Sequence, residues 1–296
     1  MSWLQISIHT TQNHAELAED LLLQCGACSV TLKDAADEPI LEPAPGETPI
    51  WKNIIATGLF DNIEKQQQLT NYITARLDES EHSISTEILE DQNWTRSWMD
   101  HYQAMQFGER LWVCPWHIKP PEPDAVNLRL DPGLAFGTGT HPTTSLCLSW
   151  LDQHIQQPKR LLDFGCGSGI LAIAALLLGL EQADGVDIDP QALEASLANA
   201  KANQVEERLH LYSAEQFSAD HSQQKYEIVV ANILSGPLVE LAPTLAGHTQ
   251  AGGDIVLSGI LAEQANSIIN AYTPYFKMDA PVIEEDWVLI HGCRLA

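Results

Sequence analysis

The sequence predicts an α/β chain: a mostly parallel sheet that ends in an antiparallel hairpin, preceded by a smaller α+β domain. Three observations carry that prediction. From residue 160 onward apolar strand-like segments alternate with helical ones, as in a parallel sheet covered on both faces. A glycine turn, Gly165-Cys-Gly167-Ser-Gly169, joins one such strand to the helix after it. The first ninety residues run through a strand, a helix and a strand twice over.

The first domain is expected over 1–91, with strand 3–9, helix 13–25, strand 28–34, strand 53–60, helix 62–76 and strand 83–90. Apolar residues recur at helical spacing in both helices (Leu17, Leu21, Leu22; Leu69, Ile73, Leu77), which gives each one buried face. The joining stretch 35–52 is rich in Pro, Glu and Asp and reads as an exposed loop. A β-α-β-β-α-β order makes a ferredoxin-like domain the economical fold. Its histidines, His9, His14 and His82, are isolated and read as structural or surface residues.

A helical connector is expected over 92–108, where Trp94 and Trp98 stand four apart on one helix face and so form a packing stripe. The second domain is expected over 109–296. Strand-like segments at 110–116 and 126–130 lead into it; then come strand 160–164, helix 169–180, strand 183–187, helix 190–203, strands 208–213 and 226–231, helix 236–246, strand 253–258 and helix 261–272. The end differs, because 274–281 and 286–294 are separated only by a turn at Glu284-Glu285 and so predict an antiparallel hairpin. A late antiparallel strand argues against the all-parallel dinucleotide fold and for the Rossmann-like methyltransferase variant of it.

Composition narrows the class. The 296 residues hold 15 basic and 40 acidic side chains, a formal charge of −25, which repels a phosphate backbone wherever no local basic patch intervenes. Residues 1–95 carry only Lys33, Lys52, Lys65 and Arg76 against sixteen acids, so a basic partner is more natural there than a nucleic acid. No apolar run approaches the roughly 20 residues that cross a bilayer, and Met1-Ser-Trp-Leu-Gln-Ile lacks the basic head of a secretory signal. The expectation is a soluble, cytoplasmic protein with no membrane contact. Six scattered cysteines read as reduced thiols; Cys25-Gly-Ala-Cys28 has redox-pair spacing but falls where a helix ends, and no second pair completes a zinc site. No metal is expected.

Chemistry concentrates at three places. The first is Leu161-Leu-Asp163-Phe-Gly165-Cys-Gly167-Ser-Gly169 with Asp187 about 20 residues on, the layout in which glycines let a backbone approach a nucleoside ligand and an acid takes its ribose hydroxyls. The spacing is G-x-G-x-G, not the dinucleotide G-x-G-x-x-G, and Asp163 would repel a pyrophosphate while suiting an ammonium. S-adenosyl-L-methionine has an ammonium and no phosphate, so it is the expected cofactor; the competing reading is a ligand-free tight turn. The second place is Asn232, the polar residue that ends the apolar run Val229-Val-Ala231. Its carboxamide oxygen would accept a hydrogen bond from a substrate amine and aim the lone pair, against the plainer reading of a turn former. The third is the glycine-rich stretch 131–144, which lacks the Lys of a phosphate loop and reads as a lid over a cofactor, with Thr140, Thr143 and Thr144 offering hydroxyls and His141 as a base or a helix cap.

Asp131-Pro-Gly-Leu-Ala-Phe-Gly-Thr-Gly-Thr-His-Pro-Thr-Thr144, the turn Asp163 to Gly169, and Ala231-Asn-Ile-Leu234 together resemble the PrmA family of ribosomal-protein methyltransferases. The resemblance runs over essentially the whole chain, including the loop at Glu47 and the Trp94/Trp98 segment. It implies an S-adenosyl-L-methionine-dependent protein-lysine N-methyltransferase that trimethylates lysine side chains and the N-terminal α-amine of large-subunit ribosomal protein eleven, with the first domain recognising that substrate. Matched residue by residue, Thr144, Gly165, Asp187 and Asn232 fall on the family's cofactor contacts, with Asp187 on the ribose and Gly165 at the methionine end; Glu215, after the third strand, is a loose match placed toward the adenine. Three rivals stand beside this reading: an RNA methyltransferase, which would want a basic groove; a nicotinamide enzyme, which would want the other glycine spacing; and a non-catalytic protein on a disused cofactor domain.

Overall fold

Strand β1 (Trp3–Thr11) alternates as a half-buried strand must: Leu4, Ile6 and Ile8 are fully buried while His9 and Thr11 are exposed. Helix α1 (Ala15–Gln24) lays Ala18, Leu21 and Leu22 on that face and ends at Gly26, whose φ of 88° places it in the left-handed conformation that closes helices. Strands β2 (Ser29–Asp34) and β3 (Asn53–Phe60), helix α2 (Gln66–Thr74) and strand β4 (Ser83–Leu89) complete the unit. Every pairing in this sheet is antiparallel, in the order β2-β3-β1-β4, which is the expected ferredoxin-like arrangement. Burial pushes the Cys25 thiol up, the opposite of what an activated redox cysteine needs.

The computed structural model describes residues 2–36, 40, 48–78, 82–89, 103–130, 141–157 and 159–296. By contacts the chain divides into two compact units, Met1–Ser97 and Trp98–Ala296. The Glu47 loop, Trp94, Trp98 and the stretch 131–140 lie outside the described residues. The end of the expected connector is corrected: Met105–Phe107 is a strand, β5, not helix. It pairs antiparallel with β6 (Leu111–Pro115), which buries Phe107 and satisfies its backbone, and β6 runs parallel to β7 (Val126–Leu130).

The large sheet is built from β8 (Arg160–Phe164), β9 (Gln182–Asp187), β10 (Leu209–Ser213), β11 (Tyr226–Asn232), β12 (Thr249–Leu261), β13 (Phe276–Met278), β14 (Val282–Glu284) and β15 (Trp287–Arg294). Its order is β10-β9-β8-β11-β12-β15-β13, with β14 also on β15. The first five strands are parallel; β13, β14 and β15 are antiparallel. The segment expected as a strand over 274–281 holds only the short strand β13; a second short strand, β14, follows it, and both pair with β15. Leu161, Leu162, Ile228, Val229, Val230, Ile255, Val256 and Leu257 are all fully buried, the signature of strands covered on both sides. Each such aliphatic side chain contributes roughly 1.5–3 kcal/mol.

One face carries α3 (Pro142–His154), α4 (Ile170–Leu177) and α5 (Pro190–Ala202); the other carries α6 (Ala214–Asp220), α7 (Ser235–His248) and α8 (Ala265–Tyr272). Helix α6 is absent from the sequence-based prediction. Only seven residues long, it shows no periodicity, and it is held by a capping box in which Ser213 and Gln216 satisfy each other's backbone N–H groups.

The topology decides where a ligand goes. The chain enters the sheet at β8, steps outward through β9 to β10, then returns to the other side of β8 at β11. Neighbouring loops after β8 and β11 therefore leave in opposite directions and open a crevice at the carboxyl ends of the strands.

Candidate functional site

Register places the main actors side by side. Val230 pairs with Asp163 and Val186 with Phe164, so Asn232, Gly165 and Asp187 emerge at the same edge of three adjacent strands. They open onto a cavity of about 560 Å³ whose walls also include Gly167, Phe164, Val186 and Ile188.

The glycine turn is fastened by its own backbone. The Gly165 and Cys166 N–H groups donate to the Val186 carbonyl at 2.7 and 3.1 Å, and the Gly169 N–H donates to the Cys166 carbonyl at 2.8 Å. Gly165, Gly167 and Gly169 have φ of 81°, 54° and 76°, the region where a side chain is strained. Asp187 locks turn to strand: its Oδ2 accepts from the Gly167 N–H at 2.9 Å and its Oδ1 from the Asp189 N–H at 2.9 Å. Asp189 in turn caps α5, accepting from the Gln191 N–H, with Pro190 in the first turn.

Three residues expected as cofactor contacts lie behind the wall instead of on it. Gly169 opens α4, and a Cβ there would sit 2.8 Å from the Ser196 hydroxyl, so its glycine serves close packing against α5. Thr144 is fully buried in α3, where its hydroxyl accepts from the Asn232 amide at 3.3 Å. Asp163 is 1% exposed; its Oδ2 accepts from the Ala172 N–H at 3.1 Å, while its Oδ1 is buried with no partner among the described residues. Burial pushes the Asp163 carboxyl up to about 7, against the pull of the Ala172 hydrogen bond and with help from the Asp187 charge. An unmatched buried carboxylate oxygen under a glycine turn, beside a second carboxylate, is a place that wants positive charge.

Asn232 ends β11 half-buried. Its amide nitrogen is held by Thr144, which fixes the side-chain plane and presents the carboxamide oxygen as an acceptor. His141 caps α3: its Nδ1 lies 2.8 Å from the Thr143 hydroxyl, and its ring packs edge-on to Trp287 at 4.7 Å. Burial lowers its pKa despite Glu285, and the ring forms part of the cavity wall. Glu215 is exposed on α6, and the neighbouring Ala214 lines the cavity in its place. Sequence reasoning missed Ile188, Leu241 and Trp287 of the apolar wall, since single apolar residues carry no motif. Ile188, 87% exposed, directly follows the acid Asp187, and that adjacency was the available signal.

A cavity with a carboxylate for hydroxyls, two bare glycine backbones, apolar walls for a base and a buried unmatched carboxylate suits an adenosine ligand with a cationic amino-acid tail. Comparisons with known proteins point the same way. A family model described as ribosomal protein L11 methyltransferase (PrmA) matches residues 2–294. The chain is 50% identical to the ribosomal protein L11 methyltransferase of Hahella chejuensis (strain KCTC 2396), over 100% of this chain and 99% of that one. It is 52% identical to the protein of the same name from Ectopseudomonas mendocina (strain ymp), over 99% and 100%. Among solved structures, ribosomal protein L11 methylase from Lactobacillus delbrueckii subsp. bulgaricus superposes with a TM-score of 0.60 at 31% identity, covering 66% of this chain and 100% of that chain.

Proposed function

This chain belongs to the ribosomal protein L11 methyltransferase family, and we propose that it transfers methyl groups from S-adenosyl-L-methionine to lysine side chains and the N-terminal α-amine of ribosomal protein L11, carrying each nitrogen to the trimethyl state. The observation that carries this reading is the placement of Asn232, oriented by Thr144, on the same cavity as Gly165, Gly167 and Asp187.

When bound, the cofactor supplies an electrophilic methyl on a sulfonium. In our reading Asp187 takes the ribose hydroxyls, the Gly165–Gly167 backbone lies along the methionine end, and Asp163 supports its ammonium through the turn. Gly169 and Thr144 act at one remove, by packing and by holding Asn232. In the first two transfers the Asn232 oxygen accepts an N–H of the incoming amine and so points its lone pair at the methyl; each product ammonium then gives its proton to water, and the tertiary amine of the third transfer, which has no N–H, is aligned by packing alone. The transfer is an in-line displacement that needs no general acid, so alignment supplies most of the rate.

The amine must be neutral. At pH 7 a lysine of ordinary pKa gives up its proton at about 4.6 kcal/mol and an α-amine at about 1.4 kcal/mol. A neutral carboxamide at the acceptor position suits that demand, because a carboxylate there would hold the ammonium protonated. The formal charge of −25 then serves a different end, drawing in a basic protein from a distance. Residues 1–91 are read as the part that recognises the substrate and 109–296 as the part that transfers the methyl. No nucleic-acid contact is expected, and the protein is assigned to the cytoplasm, where its substrate is made. Among the described residues no helix is long and apolar enough to cross a membrane.

The test is incubation with methyl-labelled S-adenosyl-L-methionine and undermethylated ribosomes, followed by separation of proteins from RNA. Label in one protein, L11, is the expected result. Label in RNA, or in none of the components while cofactor binds, would overturn the substrate assignment.

A further inference from the structure

Gly259 lies outside every motif of the glycine turn and the lid, yet it lines the same cavity. Its strand, β12, slips register against β15 between Leu257 and Ile260, and Gly259 occupies that bulge at φ +82°. Beside it, Ser258 pairs in register with Asn232 and anchors the bulge by donating its fully buried hydroxyl to the Val288 carbonyl at 2.9 Å. A Cβ on Gly259 would fall 2.3 Å from the Ile233 carbonyl oxygen, 2.8 Å from its carbonyl carbon and 3.0 Å from its nitrogen. The bare α-carbon of Gly259 is thus the floor on which the Ile233 peptide rests. From the other side a Cβ on Gly165 would fall 2.3 Å from the Ile233 Cγ2. Ile233, the residue after Asn232, is seated between the cofactor turn and β12.

We propose that Gly259 is a positioning residue for methyl transfer: the bulge it makes possible sets the height of the Ile233 peptide and thereby aims Asn232 at the acceptor amine. The inference rests on the reading of Asn232 given above. Its chemistry is steric. Any side chain at 259 must push the Ile233 peptide back by about 1 Å to reach ordinary contact near 3.4 Å, and a displacement of that size at a reacting centre costs on the order of 10²-fold in rate.

A control on the same strand separates positioning from backbone strain. Gly252 has φ +74°, and none of the described residues lies within 4 Å of where its Cβ would stand, so Gly252→Ala carries the same conformational penalty with no collision. The experiment measures the single-turnover methylation rate of L11 at saturating cofactor, cofactor affinity and thermal unfolding for Gly259→Ala, Gly252→Ala and Asn232→Ala. Gly259→Ala is expected to lose about 10²-fold in rate while cofactor affinity stays within about threefold, and Gly252→Ala to keep its rate. A Gly259→Ala rate equal to that of Gly252→Ala, with Asn232→Ala impaired, overturns the role of Gly259 alone. A wild-type rate for Asn232→Ala overturns the acceptor reading and this inference with it. Should Gly259→Ala not fold, Ser258→Ala unfastens the bulge from the Val288 carbonyl; a rate loss of about tenfold or more at unchanged cofactor affinity supports the inference, and an unchanged rate overturns it.

Discussion

Replacing Asp163 by Asn removes a charge that the folded protein holds at a cost. The folded carboxyl titrates at about 7 against 3.8 for the free group, because burial disfavours the charged form. Between those values the folded state keeps a proton that the unfolded state has already lost, so stability falls as pH rises through the window and the full penalty stands above about pH 7. That penalty is roughly 4 kcal/mol. The Asn amide must still find a partner where Asp163 Oδ1 has none among the described residues, which takes back roughly 1–3 kcal/mol. Asp163→Asn is therefore expected to stabilise the cofactor-free protein at pH 8 by about 1–3 kcal/mol, with no gain at pH 5. The assay is urea unfolding at both pH values with and without S-adenosylhomocysteine, comparing variant with wild type so that the self-repulsion of a −25 chain cancels. Added ligand should reverse the ranking, since its ammonium offsets the carboxylate that the variant lacks. Equal stability at pH 8, or a gain that is the same at pH 5, would refute the reasoning.

Other perturbations follow from the same geometry. Asp187→Ala strips the Gly167 and Asp189 N–H groups of their acceptor, and cofactor dissociation constants measured by calorimetry should rise about 10- to 100-fold. Deleting residues 1–90 should leave cofactor affinity intact and abolish methylation of L11; retained activity on the protein would remove the division of labour between the two units. His291, held between Asp254 at 3.1 Å and Asp279 at 2.7 Å, has its pKa raised by the hydrogen bond to Asp254, against burial. Its contribution is fully present below pH 6.5 and is lost as pH rises through the raised value, so His291→Gln should lower the melting temperature at pH 6 more than at pH 9.

The parts of the fold that were legible were those with a period or a punctuation mark. Alternation in β1, the apolar runs of β8, β11 and β12, and the Gly26 stop after α1 all act locally and show in the sequence. Helix α6 was hidden because seven residues hold no repeat, although Ser213 and Gln216 carried its cap. The strand at Met105–Phe107 was hidden because three residues are too few to show alternation, although Gly108, at φ 68°, stood at the tight turn that pairs it with β6. At the site, Gly165, Gly167, Asp187 and Asn232 could be read because strand ends and glycine spacing place them on one rim. That Asp163, Gly169 and Thr144 stand behind that rim could not, since which side of a turn a residue faces depends on α4 and α5 packing against it. Gly259 could not be read either: its neighbour Ile233 lies on another strand, and only the bulge brings them together.

The most direct test of amine methylation is the mass spectrum of L11 peptides after incubation with this protein and S-adenosyl-L-methionine. Lysine side chains and the N-terminal amine are each expected to carry three methyl groups. Methyl groups on carboxyl, hydroxyl or amide positions of L11, or none at all beside efficient cofactor binding, would contradict that expectation.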